Sequence, residues 1–245
     1  MLTGQRWADM VDTLAKDMNN VNVIAAQIVS GEMPEAFLLN ANYSAYEIEN
    51  GYRQNYGFTL YDRDTVDRLV SENPDLLPEP SVDIPVDLRW NKQKIVSNIT
   101  QAVLQGKSIP EIAKSMETVV GMNKASAVRN ARTAMTGAQN AGRQQAYERA
   151  EAMGIKLQKE WIATLDGRTR HSHGIADGQK VDINGMFKVG SCKMRYPGDV
   201  ANGTAEEIYN CRCTMATVEP PEIMQGDGER MTYSEWLQTK KGDKQ

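Results

Sequence analysis

The sequence predicts an α+β fold, mainly helical in an N-terminal arm and core, followed by a small β-rich C-terminal unit. Three observations carry that prediction. Apolar residues recur at helical spacing over much of residues 1–155, prolines crowd residues 74–85, and after Gly154 short extended runs alternate with Asp-Gly and Asn-Gly pairs.

Trp7, Met10, Val11, Leu14 and Met18 predict a helix over the first thirty residues, with Pro34 breaking it. From Asn40 to Tyr61 a polar stretch holds Tyr43, Tyr46, Tyr52, Tyr56 and Tyr61 with neither helical nor strand period. Tyrosines in that setting suit a contact surface, because each ring brings large area and a polar tip, or a loop folded over the chain's own helices. A short helix is expected from Asp64 to Glu72. Pro74, Pro78, Pro80 and Pro85 then predict an extended linker over 74–90, dividing an acidic arm (1–73) from a helical core (91–155).

Within the core, Ile95, Ile99 and Val103 mark a helix from Asn91 to Gln105 that Gly106 stops. Ser108, Pro110 and Glu111 supply the N-cap, early proline and capping-box partner of a second helix reaching Gly121. A third is expected from Asn123 to about Met153, where Ala127, Ala131, Ala134, Ala138 and Ala141 let a neighbour approach closely. Arg132, Thr136, Gln139 and Arg143 share one of its faces, with Arg129 nearby. Such a stripe is either a solvated face or a contact with DNA or a portal protein.

Residues 156–218 form the expected β-rich unit, with Asp166-Gly167, Asp177-Gly178 and Asn184-Gly185 as hairpin turns. Residues 219–245, with Pro220, Pro221 and a charged end, read as a tail in which 233–239 form a helical turn or two.

Hydrophobic residues make up 40% of the 245, enough for a core, and three Phe against nine Tyr make that core aliphatic. The longest apolar stretch, Val21 to Val29, is interrupted by Asn22 and Gln27 and is about half of a bilayer-spanning length, so no membrane association is expected. Asp9, Asp12 and Asp17 argue against a secretory signal, and three cysteines point to reduced thiols or metal ligands. The net charge of −4 hides a polarity: −9 over residues 1–90, +5 over 91–155 and zero over the rest. The basic middle either meets a polyanion or packs beside the acidic arm.

Both histidines and all three cysteines fall in the β-rich unit. If the segments are extended, His171 with His173 and Cys211 with Cys213 point to one side and could converge on zinc, with Cys192 as a further ligand. If instead Asp166 caps a short helix over Arg168 to Ile175, the two histidines diverge and only one can bind. The alternative is buried free thiols and a hydrogen-bonded histidine. For catalysis the candidates are Asp166, His173 and Asp177, with Arg168 or Arg170 as charge stabilisers, but nothing fixes their geometry. The sequence holds no GxxxxGK[ST], GxGxxG or GxSxG motif, and the chain is read as non-enzymatic.

Taken in order, Arg129, Arg132-Thr133, Trp161 to Asp166-Gly167-Arg168-Thr169-Arg170, His173, Asp177-Gly178, Tyr196-Pro197-Gly198-Asp199 and Asn210-Cys211-Arg212-Cys213 resemble the phage Mu F-like head morphogenesis family. The resemblance covers about residues 129–218, with a lead-in from about 91. The acidic arm, with its Phe58-Thr59-Leu60-Tyr61-Asp62-Arg63 and Asn73-Pro74-Asp75-Leu76-Leu77-Pro78 stretches, resembles minor head proteins of prophages in Gram-positive bacteria. The resemblance implies a low-copy minor capsid protein at the portal and procapsid interior, made in the host cytoplasm and carried in the virion. There it would assist head assembly, DNA packaging or DNA delivery, with portal, capsid proteins and phage DNA as partners. The family's shared residues map onto Asp166, Arg170, His173, Gly178, Cys211 and Cys213, with Trp161, Arg168 and Asn210 beside them in the motif. Many members carry a histidine just before the paired cysteines, where this chain has Glu206, Glu207 and Tyr209. Cys192 or His171 would then have to stand in as a fourth ligand. Some members are fused to toxin modules, for which no room is expected after residue 218. A hydrolase- or transferase-like effector using Asp166 and His173, and a DNA-binding module using Arg129, Arg132 and Arg143, are the alternatives.

Overall fold

A computed structural model describes residues 4–77, 84–105, 107–218, 226 and 228–242. Helices make up most of the described residues, and small antiparallel sheets lie in the C-terminal part, so the class is α+β. The elements are α1 (Gly4–Tyr52), α2 (Arg63–Glu72), a 3-10 turn at Pro74–Leu76, α3 (Ile84–Leu104), α4 (Ile109–Ala152), β1 (Gln158–Ile162), α5 (His171–Ala176), β2 (Lys180–Asp182), β3 (Phe187–Val189), β4 (Cys192–Met194), α6 (Ala205–Ile208), β5 (Thr214–Val218) and α7 (Tyr233–Gly242). No described helix is long and apolar enough to cross a membrane.

Two compact units emerge, each drawn from separate stretches of sequence. The first takes the described residues up to Gly31 and those from Ile84 to Ala131. Its core joins Val11, Ala15 and Met18 of α1 to Ile95 and Ile99 of α3 and Val119 of α4. Ser115 Oγ donates to Asn98 Oδ1 at 2.5 Å across α4 and α3, and Lys92 pairs with Asp12. The Glu111 half of the expected capping box forms: the Ser108 backbone N–H and hydroxyl both donate to Glu111 Oε2, at 2.8 and 2.6 Å.

The second unit comprises Glu32 to Leu77 and Arg132 to Gly242. Pro34 does not break the first helix, and α1 runs on to Tyr52. Proline removes one backbone hydrogen bond, but Met33, Phe37, Ala41, Ala45, Ile48 and Tyr52 are all buried at spacings of three and four, and their packing carries the helix through. The stretch read as aperiodic is therefore helical as far as Tyr52, its stripe disguised by small residues. Gly121 likewise stops nothing, and α4 is one helix where two were expected. A helical glycine costs only about 1 kcal/mol. The helix expected from Asn91 already begins at Ile84, with Pro85 in the first turn, where a missing N–H is harmless. Pro78, Pro80, Pro220 and Pro221 lie outside the described residues.

After α4 the periodicity switches as expected. β1 is the centre of a three-stranded antiparallel sheet ordered β2-β1-β5, with Trp161 opposite Met215 and Lys159 opposite Val181 and Thr217. β3 and β4 form a separate two-stranded sheet. None of the three anticipated turns closes a hairpin. Asp166-Gly167 lies in the loop between β1 and α5, Asp177-Gly178 ends α5, and Asn184-Gly185 passes between strands of different sheets. The two-residue hairpin turn is Gly190-Ser191, joining Val189 to Cys192, with Gly190 at φ 57°. Both turns and helix ends demand positive φ, so a glycine pair alone does not distinguish them; Gly178 has φ 73° at the end of α5.

At the chain's end α7 docks on α1. Trp236 Nε1 donates to Glu49 Oε2 at 2.6 Å, and Lys240 pairs with the same carboxylate in a buried position. Tyr43 and Tyr46 pack against Tyr233, so these two tyrosines meet the chain's own last helix.

Candidate functional site

The site lies in the second unit, where α5, the segment before β5 and the second part of α4 meet. Residues 171–176 are helical rather than extended, so the two histidines diverge as the 3.6-residue period requires. His171 is exposed and His173 is buried. The His173 ring packs edge-on against Trp161 of β1, with centroids 5.7 Å apart.

Asn210 occupies the left-handed region at φ 52°, a conformation asparagine tolerates better than most residues, and this turns the chain into Cys211-Arg212-Cys213. The polar face of α4 straps that segment down. Thr136 Oγ1 donates to the Cys211 carbonyl at 3.1 Å, and Asn140 Nδ2 to the Cys213 carbonyl at 3.3 Å. The Asn210 N–H donates to Thr133 Oγ1 at 3.2 Å. Cys211 and Cys213 consequently face inward while Arg212 between them faces out.

His173 Nδ1 lies 3.2 Å from Cys213 Sγ and 3.8 Å from Cys211 Sγ. On the opposite edge of the ring, Nε2 lies 3.1 Å from Glu207 Oε2, and Ser172 Oγ donates to the same oxygen at 2.8 Å. The Cys213 thiol is pushed down to about 5, first by its hydrogen bond with Cys211 and then by His173, against burial. Cys211 is pushed up by the same partnership and by burial, so the two sulfurs titrate as a pair.

Cys192 lies apart, at the start of β4. It accepts a hydrogen bond from the Thr204 N–H at 3.4 Å, and it is outside the His173 cluster among the described residues. Asp177 caps the end of β1 by accepting the Ala163 N–H at 2.7 Å. Asp166 accepts both guanidinium nitrogens of Arg212, at 2.6 and 2.7 Å, and the Arg168 N–H at 2.9 Å. The ring of His173 thus answers to Glu207 and Cys213, while Asp166 answers to arginine. Arg170 donates to the Tyr209 carbonyl, holding α5 against α6. The Gly178 N–H donates to the Trp161 carbonyl at 2.9 Å, securing the return from α5 to the sheet.

Beside the cluster opens a cleft of about 1000 Å³ lined by Arg132, Arg143, Arg168, Arg170 and Arg212, with no carboxylate among its described lining residues. Arg132 and Arg143 thus share a wall of this cleft, as their common helix face anticipated. Arg129 belongs to the first unit and is not part of this lining. Glu47, 3.3 Å from Arg143, and Asp166 neutralise part of the charge from outside the lining. Chemically the arrangement offers a buried nitrogen–sulfur ligand set and, next to it, a cationic concavity suited to an oxyanion or polyanion. Glu207 is the participant that sequence reasoning missed. Its adjacency to Glu206 gave no hint of which one turns inward.

A family model described as phage Mu protein F like protein matches residues 93–216, about half of the chain. Minor head protein GP7 of Bacillus phage SPP1 is 30% identical over 214 residues, covering 81% of this chain and 67% of that protein. A protein of Enterococcus faecalis named NAD(+)--arginine ADP-ribosyltransferase EFV is 33% identical over 152 residues, which is 59% of this chain but 31% of the enterococcal one. No solved structure matches. The matched span holds α4, β1, β2, the first part of β5, the His173 cluster and the five arginines of the cleft, and the chain belongs to the phage Mu protein F-like family.

Proposed function

We propose that this protein is a minor head protein of a tailed phage, a structural component of the virion rather than an enzyme. The observation that carries the reading is the 30% identity to a phage minor head protein along 81% of this chain. Within the head it acts at the portal and procapsid interior, in a few copies, and contributes to head assembly and to packaging or delivery of DNA. The portal, other capsid proteins and phage DNA are its partners, and the host cytoplasm is where it is made and assembled. The architecture suits a joining role, with helices long enough to reach between objects, a second unit fastened by buried polar contacts, and an arginine cleft for an anionic partner.

Quantitative mass spectrometry of purified particles, counting this chain against the portal subunit, tests the reading. A constant ratio of a few copies per portal is expected, with heads that package poorly when the gene is deleted. Particles that lack the chain altogether would refute it.

A second reading, an effector with transferase-like activity, draws on the enterococcal relative, although the matched span is 31% of that protein. It would require turnover dependent on His173 or Asp166 together with normal assembly of particles carrying His173→Ala.

A further inference from the structure

We propose that His173, Cys211 and Cys213 form a zinc site, with His173 Nδ1 and the two sulfurs as ligands and water in the fourth position. The three ligand atoms lie within 4.8 Å of one another and belong to buried residues. Zinc bonds of about 2.0–2.3 Å in tetrahedral array place such atoms roughly 3.5–3.8 Å apart. The observed 3.2 and 3.8 Å from His173 Nδ1 to the sulfurs require only small shifts to close on an ion.

The surroundings fit the ion in three further respects. First, Glu207 accepts from His173 Nε2, which fixes the tautomer that leaves the Nδ1 lone pair facing the thiols. Glu207 is itself steadied by Ser172. Second, a void of about 20 Å³, bordered by all three ligands together with Arg170 and Asn210, has room for one water. Third, the ligands come from α5 and from the Cys211–Cys213 segment, almost 40 residues apart, so an ion would crosslink two short elements distant in sequence. Two thiolates balance the charge of the ion.

The row Glu207, His173, Cys213 is also the order of an activated nucleophilic thiol. Two sulfurs facing one ring nitrogen, with Cys211 and Cys213 only 2% and 5% exposed, favour the ion over attack on a substrate.

Full-length protein dialysed into metal-free buffer is expected to retain one zinc per chain. Cys211→Ser and Cys213→Ser should lose it, whereas Cys192→Ser should keep it. Cobalt(II) in place of zinc should show thiolate charge-transfer absorption and the intense visible bands of a tetrahedral ion. Glu207→Gln should weaken zinc binding roughly 10- to 100-fold in chelator competition while preserving those bands. If the cysteine variants fail to fold, alkylation of the wild-type chain decides: zinc should shield Cys211 and Cys213, a chelator should expose them, and Cys192 should react alike in both states. Zinc retained equally by Cys211→Ser and Cys213→Ser would overturn the site. So would a chain that takes up no zinc when the ion is supplied and whose Cys213 is alkylated equally fast with and without it, which would establish the nucleophile instead.

Discussion

Arg212 grips Asp166 through two hydrogen bonds, Nη1 to Oδ2 at 2.6 Å and Nη2 to Oδ1 at 2.7 Å, tying the loop after β1 to the segment that carries the paired cysteines. Arg212, and after it the Arg168 N–H, hold the Asp166 carboxyl far below the usual carboxylate range. Because the folded value lies under the unfolded value of about 3.9, the stabilisation is complete above about pH 5 and declines as pH falls below about 4. Thermal melts of wild type and Asp166→Asn should therefore differ at neutral pH and draw together on acidification. The pair is more than a third exposed, so the difference should be modest and shrink with added salt. A gap that persists unchanged into acid would mean that the charge contributes nothing.

Lys159 supplies an opposite pH dependence. It points inward from β1 with 0% exposure, and its ammonium donates to Gln144 Oε1 at 2.9 Å and the Arg195 carbonyl at 2.8 Å. Burial pushes it down to about 8. An unfolded chain, with lysine near 10.4, binds more protons between about pH 8 and 10.4, so this group makes the fold more stable as pH rises through that window. Lys159→Met abolishes the titration and leaves both acceptors without their donor. In urea denaturation, wild type should gain on Lys159→Met as pH rises from about 8 to 10. Parallel pH curves would sink the idea that the buried ammonium is strained.

These two residues mark where sequence reading succeeds and where it stops. The α+β class was legible because the change from helical to extended patterning after Gly154 is local, as is the contact of the Glu111 carboxylate with Ser108. Pro34 and Gly121 misled because their costs, roughly 3 and 1 kcal/mol, are local, while what overrides them is packing summed along a helix. The separate fates of His171 and His173 depended on whether residues 171–176 were helical, which the sequence left open. Glu207 reaches His173 across 34 residues of chain, and Lys159 sits on the apolar side of its strand, where a charge is not expected. No local pattern encodes either contact.

Two glycines of α4 should respond in opposite directions to the same substitution. At Gly142 a Cβ would overlap the Phe37 carbonyl oxygen of α1, so the helices cross there because no side chain intervenes. At Gly121 nothing lies within 4 Å. Gly142→Ala should cost roughly 1–3 kcal/mol through overpacking. Gly121→Ala should gain roughly 0.5–1 kcal/mol by removing backbone freedom from the unfolded chain. Urea midpoints with unchanged slope would read both. Equal effects at the two sites would contradict the close crossing.

The arginine cleft makes the last prediction, which concerns DNA. Arg132 and Arg168 are exposed at its lining, Arg168 with Asp166 only at 3.9 Å, whereas Arg143 and Arg212 donate hydrogen bonds to Glu47 and Asp166. Each arginine that neutralises a phosphate releases a counterion, so log affinity falls against log salt by about 0.9 per contact on duplex DNA. If the cleft holds the DNA backbone, Arg132→Ala and Arg168→Ala should each weaken binding without altering sequence preference and flatten that slope by about 1. Arg212→Ala should change the slope less, because its charge is already shared with Asp166, but should lower the melting temperature. Arg129→Ala serves as the comparison, since that residue does not line the cleft. Wild-type affinity that is flat between low and moderate salt would remove DNA as the occupant. An acidic protein surface, whose binding depends on the same arginines, would then be the partner the cleft fits.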